Sequence, residues 1–348
     1  MEFDIKFLSK DIKASVVVPL FNCEKYILRT IKSIQYQIIS DIEIILVDDD
    51  SKDNTVSLVK KLQNKDKRIK IIRNKKNMGI LYSRSIGVLS SKGKFLFTLD
   101  NDDLFLNNDI CYTTIKLAKS GNFDIIEFKA ISNKIKNENL LKNKIKDAKF
   151  SHKKPIILIQ PELGRFPIPT GNKIGSYWLR DIFLWGKCIK TEIYQKALNK
   201  LEYRRYSRFM IRYEDIMTNY IIFNIANRFL SIQKYGIYHL ERFGSGVSIG
   251  WHKVPRNTNL LYLLDVVIDF SQKNIDNKKL VVHLIIYVLN LRRIERTLTS
   301  SKYNKELIIS CIQRILNSKF ISECHKILIK NIVKRMKYIK SIEKRLNI

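Results

Sequence analysis

The chain has 348 residues, of which 45% are apolar and 28% are charged, and its formal net charge is +31. This apolar content suffices for one large core, or for one domain with a smaller appendage, and it argues against a wholly disordered chain. The charge fits an anionic partner, such as a phosphorylated substrate, a membrane surface or a nucleic acid, but a composition rich in Lys, Ile and Asn produces it without any partner.

Short apolar runs alternate with segments of helical periodicity in the first third of the chain. Apolar runs rich in β-branched or aromatic residues predict strands, and apolar residues three or four positions apart predict helices. The predicted strands are residues 14–20, 42–47, 70–72 and 95–99, and the predicted helices are residues 24–38, 53–62 and 81–89. Because the connections are short, this alternation predicts an α/β fold in which helices cover a parallel sheet.

Acidic clusters follow two of these predicted strands, at residues 48–50 and 100–103. Ligands of open α/β sheets bind at the carboxyl ends of the strands, so both clusters should border one crevice. Carboxylates one residue apart, such as Asp100 and Asp102, can hold a hard divalent cation together with substrate phosphates. A lone Asp-x-Asp is more often a solvated acidic turn, so its context has to decide.

The next segments carry weaker signals. Residues 133–154 are rich in Lys and Asn and are interpreted as a surface loop, and residues 155–170 hold four of the six prolines. The prolines predict an irregular segment near the site. Helical periodicity returns at residues 181–198 and 215–229, and it continues from about residue 258 to the end.

The last segment, residues 292–348, holds 15 Lys and Arg against four Glu, a formal charge of +11. Apolar residues recur there at helical spacing, as in amphipathic helices that lie on anionic membranes. A helical appendage with a solvated basic face explains the same pattern equally well.

Targeting and redox signals favour the cytoplasm. Residues 1–6 lack the basic and then apolar order of a signal peptide, and the apolar stretch Leu280–Leu289 is too short to span a bilayer. Five scattered cysteines form no Cys-x-x-Cys pair, which argues against a disulfide framework or a zinc site. We therefore expect a cytoplasmic protein, with peripheral contact with an anionic membrane as a further expectation.

Four motifs within residues 14–103 resemble, in the same order, those of family 2 glycosyltransferases. They are Val18-Pro19-Leu20-Phe21-Asn22, the acidic stretch from Val47 to Thr55, the stretch from Asn74 to Gly87 that contains Asn77, Gly79 and Arg84, and Asp100-Asn101-Asp102-Asp103. Each motif alone is weak, whereas the ordered set is specific. The chain departs from the family pattern at Asp50, Ser83 and Ser85, where Gly, Ala and Asn are usual.

The resemblance implies the GT-A fold and assigns roles around a nucleotide-sugar donor. These roles are Pro19, Phe21 and Glu24 in the base pocket, Asp49 as the acceptor of a hydrogen bond from the nucleobase (usually uracil), Arg84 near the donor phosphates, Asp100 on the ribose and Asp102 on the metal that binds the diphosphate. The implied metal is Mn²⁺ or Mg²⁺.

The second half of the chain carries a looser match. The stretch Arg212-Tyr213-Glu214-Asp215 precedes an apolar predicted helix. By itself it is typical of a helix N-terminus, which acidic side chains stabilise. After a family 2 nucleotide half, it resembles the Glu-Asp pair whose Asp is the catalytic base, which implies that role for Asp215.

Three further residues join Glu214 as candidates around the acceptor or the diphosphate. Trp185 and Lys187 lie in a stretch that resembles an acceptor-side segment, and His239 lies in one that resembles the loop over the diphosphate. The resemblance allows His239 to contact metal or phosphate, although a lone His is more often structural.

The implied reaction is an inverting transfer of a sugar from a nucleotide-sugar, with a UDP-sugar as the expected donor, to a hydroxyl of a glycan, lipid-linked or protein acceptor. We expect a GT-A domain over residues 1–250, with a nucleotide-binding half at 1–130 and an acceptor half at 155–250, and a basic α-helical region at 251–348. Two alternatives stay open: a nucleotidyltransferase, which also uses paired aspartates and a metal, and a basic nucleic-acid-binding protein. No nucleic-acid-binding motif is recognisable, so a nucleic acid partner is not expected.

Overall fold

The computed structural model describes residues 14–132, 156–159, 184–201, 203–206 and 214–240, together with the isolated positions 313, 316, 317 and 326. The strands are β1 Ala14–Leu20, β2 Ile42–Asp48, β3 Ile69–Arg73, β4 Phe95–Thr98, β5 Leu104–Phe105, β6 Ile125–Ser132, β7 Ile156–Ile159, β8 Lys187–Lys190 and β9 Arg228–His239. The helices are α1 Ile27–Gln35, α2 Thr55–Lys65, α3 Ile80–Leu89, α4 Ile110–Ser120, α5 Thr191–Leu201, α6 Tyr203–Tyr206 and α7 Glu214–Ile225.

Several predictions fall outside these residues. They concern the loop at 133–154, most of the proline-rich segment and nearly all of the C-terminal region at 251–348. Within the part of the chain that is described, no helix is long and apolar enough to cross a membrane.

One mixed sheet contains all nine described strands, in the order β3-β2-β1-β4-β8-β6-β9-β5, with β7 paired to β9. The first four strands are parallel, so the predicted parallel sheet is confirmed for this half. Strand β8 is antiparallel to both β4 and β6, and β9 is parallel to β6. The carboxyl ends of β1, β2 and β4 therefore lie side by side at one edge, where a ligand crevice is expected.

The core lies between the parallel strands and the helices that cover them. Strand β1 is buried along its whole length, as a central parallel strand is. Helix α1 buries Ile27, Ile31 and Ile34, whose spacing places them on one face. On the other side α3 lies close to β1 at Gly87, where a Cβ atom would come within 2.4 Å of Val17 Cγ1. Only glycine permits this approach, which also brings the preceding turn of α3 close to the sheet.

Three predicted elements were wrong. Residues 187–190, predicted as helical, form β8, and the helix begins only at Thr191. The predicted helix 215–229 ends at Ile225, and Arg228 already begins β9. Residues 156–159, in a segment predicted to be irregular, form β7. In each case a short apolar run pairs with a distant strand, and this pairing outweighs local periodicity.

Candidate active site

Two loops at the carboxyl ends of β1 and β2 are tied together by hydrogen bonds. The Asn22 amide donates to Ser51 Oγ at 3.0 Å, and the Lys52 amide donates back to Asn22 Oδ1 at 2.8 Å. The Asn54 amide donates to Glu24 Oε2 at 2.9 Å. Glu24, predicted to line a base pocket, therefore stabilises the junction of the two loops.

The other two residues predicted for the base pocket lie at the same edge. Pro19 is buried in β1, and its carbonyl accepts a hydrogen bond from Asn101 Nδ2 at 3.1 Å. Phe21 follows the strand and is 46% exposed. An exposed aromatic ring beside a crevice can stack on a planar ligand group, so this position is compatible with the predicted role.

Asp49 is buried and anchors the segment before α3. Its carboxylate accepts hydrogen bonds from Asn74 Nδ2 and from the amides of Met78 and Gly79, each at 2.8 Å. Asn74 also donates to Ser83 Oγ at 2.9 Å, so Ser83 adds a hydrogen bond that the usual Ala cannot make. Asp49 thus organises its own loop, and the contact with a nucleobase stays a prediction.

The turn after Asp49 explains why glycine is usual in the family pattern. Asp50 has a φ of 66°, in the left-handed region that glycine adopts most readily. Asp tolerates this region better than most side chains because it can make local hydrogen bonds. Here its carboxylate pairs with Lys52 Nζ at 2.8 Å. The departure at Asp50 therefore leaves the turn intact.

Arg84 joins the two halves of the candidate site. From α3 its Nη1 donates to Asp215 Oδ1 at 2.8 Å, and its Nη2 donates to Asp100 Oδ1 at 3.0 Å. Glu214 Oε1 lies 3.5 Å from Nη1. Three carboxylates from two separate elements therefore surround one guanidinium. Tyr194 of α5 is buried near the same group.

Burial and like charge alter the acidity of this cluster. Burial raises the pKa of Glu214 to about 8; the charge of Asp215 adds to this shift and Arg84 opposes it. Burial also raises the pKa of Asp215, again against the effect of Arg84. Asp215 lies closer to the guanidinium than Glu214 does, at 2.8 Å against 3.5 Å. We therefore assign the proton at neutral pH to Glu214 and the negative charge to Asp215.

The turn after β4 is tied to the end of β9 through Asp103. This carboxylate is fully buried, and His239 Nδ1 lies 3.0 Å from both of its oxygens. The Leu240 amide also donates to it, at 3.0 Å. Burial raises the pKa of Asp103 to about 6, although the hydrogen bond with His239 opposes the shift. Trp185 stacks on the imidazole with ring centroids 5.1 Å apart.

His239 is thereby oriented by a buried carboxylate. Burial works against the charged imidazole, but the bond to Asp103 and the charges of Asp100 and Asp102 raise the pKa of His239 overall. Asp103 had no role in the sequence prediction. The pattern Asp-x-Asp-Asp was its only signal, because the pairing with His239 joins residues 136 positions apart.

The acidic turn can be tested as a place for Mg²⁺ or Mn²⁺. Among the described residues no three His, Cys, Asp or Glu side chains are placed to hold an ion together. Asp102 is the ligand that the family resemblance implies, whereas Asp100 bonds Arg84 and Asp103 bonds His239. A cation held by one carboxylate and completed by donor phosphates and water fits this set, as is common for Mg²⁺.

Lys187 occupies a different place from the one predicted. It begins β8 rather than lying in a loop, and its side chain is 2% exposed. Its Nζ lies 3.6 Å from Glu127 Oε1, and Ser231 Oγ donates to Glu127 Oε2 at 2.9 Å. Lys187 is also close enough to Asp215 to act on its charge, so a role near the acceptor or the diphosphate stays a prediction.

Comparison with known proteins gives a consistent picture. A family model described as "Glycosyl transferase family 2" matches residues 15–184. The cholesterol galactosyltransferase of Borreliella burgdorferi is 28% identical over 239 residues, 67% of this chain and 61% of that protein. A Campylobacter jejuni protein named GalNAc(5)-diNAcBac-PP-undecaprenol beta-1,3-glucosyltransferase is 39% identical over 110 residues, 31% of this chain and 35% of that protein.

The chain spans less than two thirds of the length of these relatives. For an uncharacterized glycosyltransferase of Rickettsia bellii, 34% identical over 118 residues, the match covers 34% of this chain and 17% of that protein. Among solved structures, residues 1–349 of S. aureus TarS in complex with UDP-GlcNAc superpose with a TM-score of 0.62 at 16% identity, over 96% of this chain and 91% of that one. This structural likeness shows the fold alone.

Proposed function

We propose that this chain, which matches the model of glycosyl transferase family 2 over residues 15–184 and has the GT-A fold, transfers a sugar from a nucleotide-sugar to an acceptor hydroxyl with inversion. The observation that carries this proposal is the convergence of Asp100, Asp215 and Arg84 at the carboxyl edge of the parallel strands. This convergence supports the proposal, because a carboxylate could act as a base next to the turn that we expect to hold the donor.

The proposed donor is a UDP-sugar. It would lie across the tied loops after β1 and β2, with the base near the exposed ring of Phe21 and the diphosphate near the turn at Asp100. The solved structure of TarS contains UDP-GlcNAc, and the likeness of fold supports a donor of the same class.

Asp215 is the proposed general base. A sugar hydroxyl is a weak nucleophile, and a carboxylate that accepts its proton as the new bond forms accelerates the attack. The hydroxyl oxygen then bonds to the anomeric carbon while the bond to the nucleoside diphosphate breaks on the opposite face. Asp215 suits this role because it keeps its negative charge, with Glu214 as the protonated neighbour, and because its side chain is 16% exposed.

Metal dependence is part of the proposal. Asp102 would hold Mn²⁺ or Mg²⁺ together with the donor diphosphate, and the cation would offset the negative charge on the leaving group. Asp103 would keep His239 beside this turn, where the imidazole can donate a hydrogen bond to a phosphate oxygen.

The proposed acceptor is a hydroxyl on a lipid or a lipid-linked glycan. Two similar proteins carry names with such acceptors, cholesterol in one case and an undecaprenol-linked glycan in the other. The net charge of +31 would favour an anionic membrane that presents the acceptor.

A panel of nucleotide-sugars, each scored for thermal stabilisation with and without Mn²⁺, tests the donor class. A selective ligand raises the apparent stability, so one UDP-sugar should raise the melting temperature in the presence of Mn²⁺. Product analysis with acceptor then separates the alternatives: release of a nucleoside diphosphate supports sugar transfer, whereas release of pyrophosphate indicates a nucleotidyltransferase. Stabilisation by nucleic acid in place of any nucleotide-sugar would contradict the proposal.

The substitution Asp215→Asn tests the base. Asn keeps the size and part of the hydrogen bonding but has no basicity, so turnover should fall by about 10²-fold or more. Donor affinity, measured by calorimetry, should stay nearly unchanged. Glu214→Gln is the matched control, with a smaller kinetic effect, because Glu214 already carries a proton at neutral pH. Near-normal turnover of Asp215→Asn with a true acceptor would place the base elsewhere.

A further inference from the structure

Arg84 is almost inaccessible, although it was expected near the donor phosphates. Its side chain is 3% exposed, whereas that of Asp100 is 30% exposed and that of Asp215 is 16% exposed. At the carboxyl edge of the parallel strands, both carboxylates are thus more exposed than the guanidinium that they contact. A diphosphate at this edge would meet the carboxylates before it met Arg84.

Both terminal nitrogens of the guanidinium are directed at these carboxylates. Nη1 bonds Asp215 and faces Glu214, and Nη2 bonds Asp100. To bind a phosphate, Arg84 would have to give up a buried ion pair and accept an anion beside carboxylates, and both changes are unfavourable. The planar fork instead suits a fixed, two-sided contact, which a lysine cannot reproduce.

The two contacts of Arg84 join parts of the chain that are far apart in sequence. Asp100 lies in the turn after β4, 16 residues from Arg84, and Asp215 lies in the first turn of α7, 131 residues away. The Leu184 amide, at 3.5 Å, makes a second and weaker contact with Asp215. The orientation of the proposed base toward the donor turn therefore depends mainly on Arg84.

Several charged or titratable groups among the described residues act on Asp215. Arg84 comes from α3, Asp100 from the turn after β4, Glu214 from the same helix and Lys187 from β8, with Tyr194 of α5 beside the guanidinium. Arg84 is the only one of these with a direct positive contact, at 2.8 Å, so it is the main group that favours the charged form of Asp215.

On the basis of the proposed function, we infer that Arg84 is a positioning residue for the general base: it holds Asp215 charged and oriented against the Asp100 turn, and it does not bind the donor phosphates. It would act on the proton-transfer step through Asp215 and leave donor binding to the loops after β1, β2 and β4.

The test compares the pH dependence of turnover in wild type, Arg84→Lys and Arg84→Met, with donor affinity measured separately by calorimetry. Arg68→Met is the matched control, because Arg68 pairs with Asp66 between α2 and β3, away from the site. An opposite charge at this distance lowers a carboxyl pKa by about 1–3 units. The base is active only when charged, so without Arg84 the acidic fall in turnover should move to higher pH by about 1–3 units.

Arg84→Met should therefore lose turnover at neutral pH and regain part of it at higher pH, with donor affinity within about threefold of wild type. Arg84→Lys should show a smaller shift, because one ammonium cannot span Asp215 and Asp100. The inference would be overturned if Arg84→Lys lost donor affinity by about tenfold or more while the pH at which turnover falls on the acidic side stayed unchanged. That result would show that Arg84 binds the donor phosphates.

A second measurement does not depend on turnover or on a folded Arg84→Met variant. Lys keeps the positive charge of Arg84 but cannot make both of its hydrogen bonds, so Arg84→Lys should lower the urea midpoint. If Arg84 and Asp215 are coupled, the double variant Arg84→Lys/Asp215→Asn should recover part of the summed loss of the two single variants. Strictly additive losses would show that the pair does not exist and would overturn the inference. If wild type binds no nucleotide-sugar and yet the recovery is seen, the proposed function fails while the pairing of Arg84 with Asp215 stands.

Discussion

Replacing Glu214 by Gln should stabilise the protein at alkaline pH, in contrast to most changes at buried polar sites. Glu214 is buried beside Asp215, and burial raises its pKa from 4.5 to about 8. The folded protein therefore keeps a proton on Glu214 that the unfolded chain releases near pH 4.5. Gln is neutral at every pH and has nearly the same shape, so it resembles the protonated side chain.

The sign and size follow from proton linkage. Between the two pKa values the folded state binds one more proton than the unfolded state, so the stability of wild type falls as pH rises. The slope is at most about 1.4 kcal/mol per pH unit. As pH rises from 5 to 8, the difference in free energy of unfolding between Glu214→Gln and wild type should therefore grow by up to about 4 kcal/mol in favour of the variant. Below pH 4.5 the two proteins should differ little.

Urea unfolding followed by tryptophan fluorescence at pH 5, 6, 7 and 8 measures this difference. Glu43→Gln is the control of opposite sign. Glu43 accepts hydrogen bonds from Ser15 Oγ and the Lys92 amide, both at 2.6 Å. Burial raises the pKa of Glu43, but its bond with Lys70 and these two hydrogen bonds outweigh burial and lower the pKa overall. The Glu43 carboxylate stabilises the folded protein above the pKa that Glu has in the unfolded chain, and this stabilisation is lost as pH falls. Glu43→Gln should therefore be less stable than wild type at pH 7.

A constant difference between wild type and Glu214→Gln from pH 5 to pH 8 would refute the reasoning. It would mean that Glu214 titrates normally in the folded state. A variant that loses stability as pH rises, relative to wild type, would show that Glu214 is charged and paired with Arg84 at neutral pH.

Three further outcomes are expected. Asp102→Ala should abolish Mn²⁺-dependent donor binding in calorimetry while the fold stays intact. Glu192 is an exposed carboxylate, and the control variant Glu192→Gln should bind the donor as wild type does. Unchanged donor binding by Asp102→Ala would show that Asp102 does not hold the metal. Asp49→Asn should lower the free energy of unfolding by about 1.5–3 kcal/mol, because Asn cannot replace the charge-assisted bonds to the segment before α3; a change under 0.5 kcal/mol would contradict this. Binding of the intact chain to anionic vesicles through residues 292–348 should weaken as salt rises, and no binding at low salt would leave that segment without a membrane role.

Local patterns predicted the nucleotide-binding half well. Strands β1, β2, β3 and β4 were confirmed to within a residue or two, because central parallel strands are continuous apolar runs that need no knowledge of their neighbours. The order of motifs also predicted the family and the GT-A fold. The second half was predicted less well: β8 and β9 are short or half-buried strands whose state depends on the partners β4 and β6.

The sequence by itself determined which chemical groups are available: an acidic turn after β4, a Glu-Asp pair at the start of α7 and an arginine in α3. Only the tertiary structure decided what these groups do to one another. Folding brought Arg84 into contact with Asp100 and Asp215, joined Asp103 to His239 and buried Lys187 beside Glu127. The physical reason is that side-chain charge, hydrogen bonding and acidity depend on neighbours and on solvent. Asp103 and His239, for example, lie 136 residues apart in the chain, and no local pattern records such a pair.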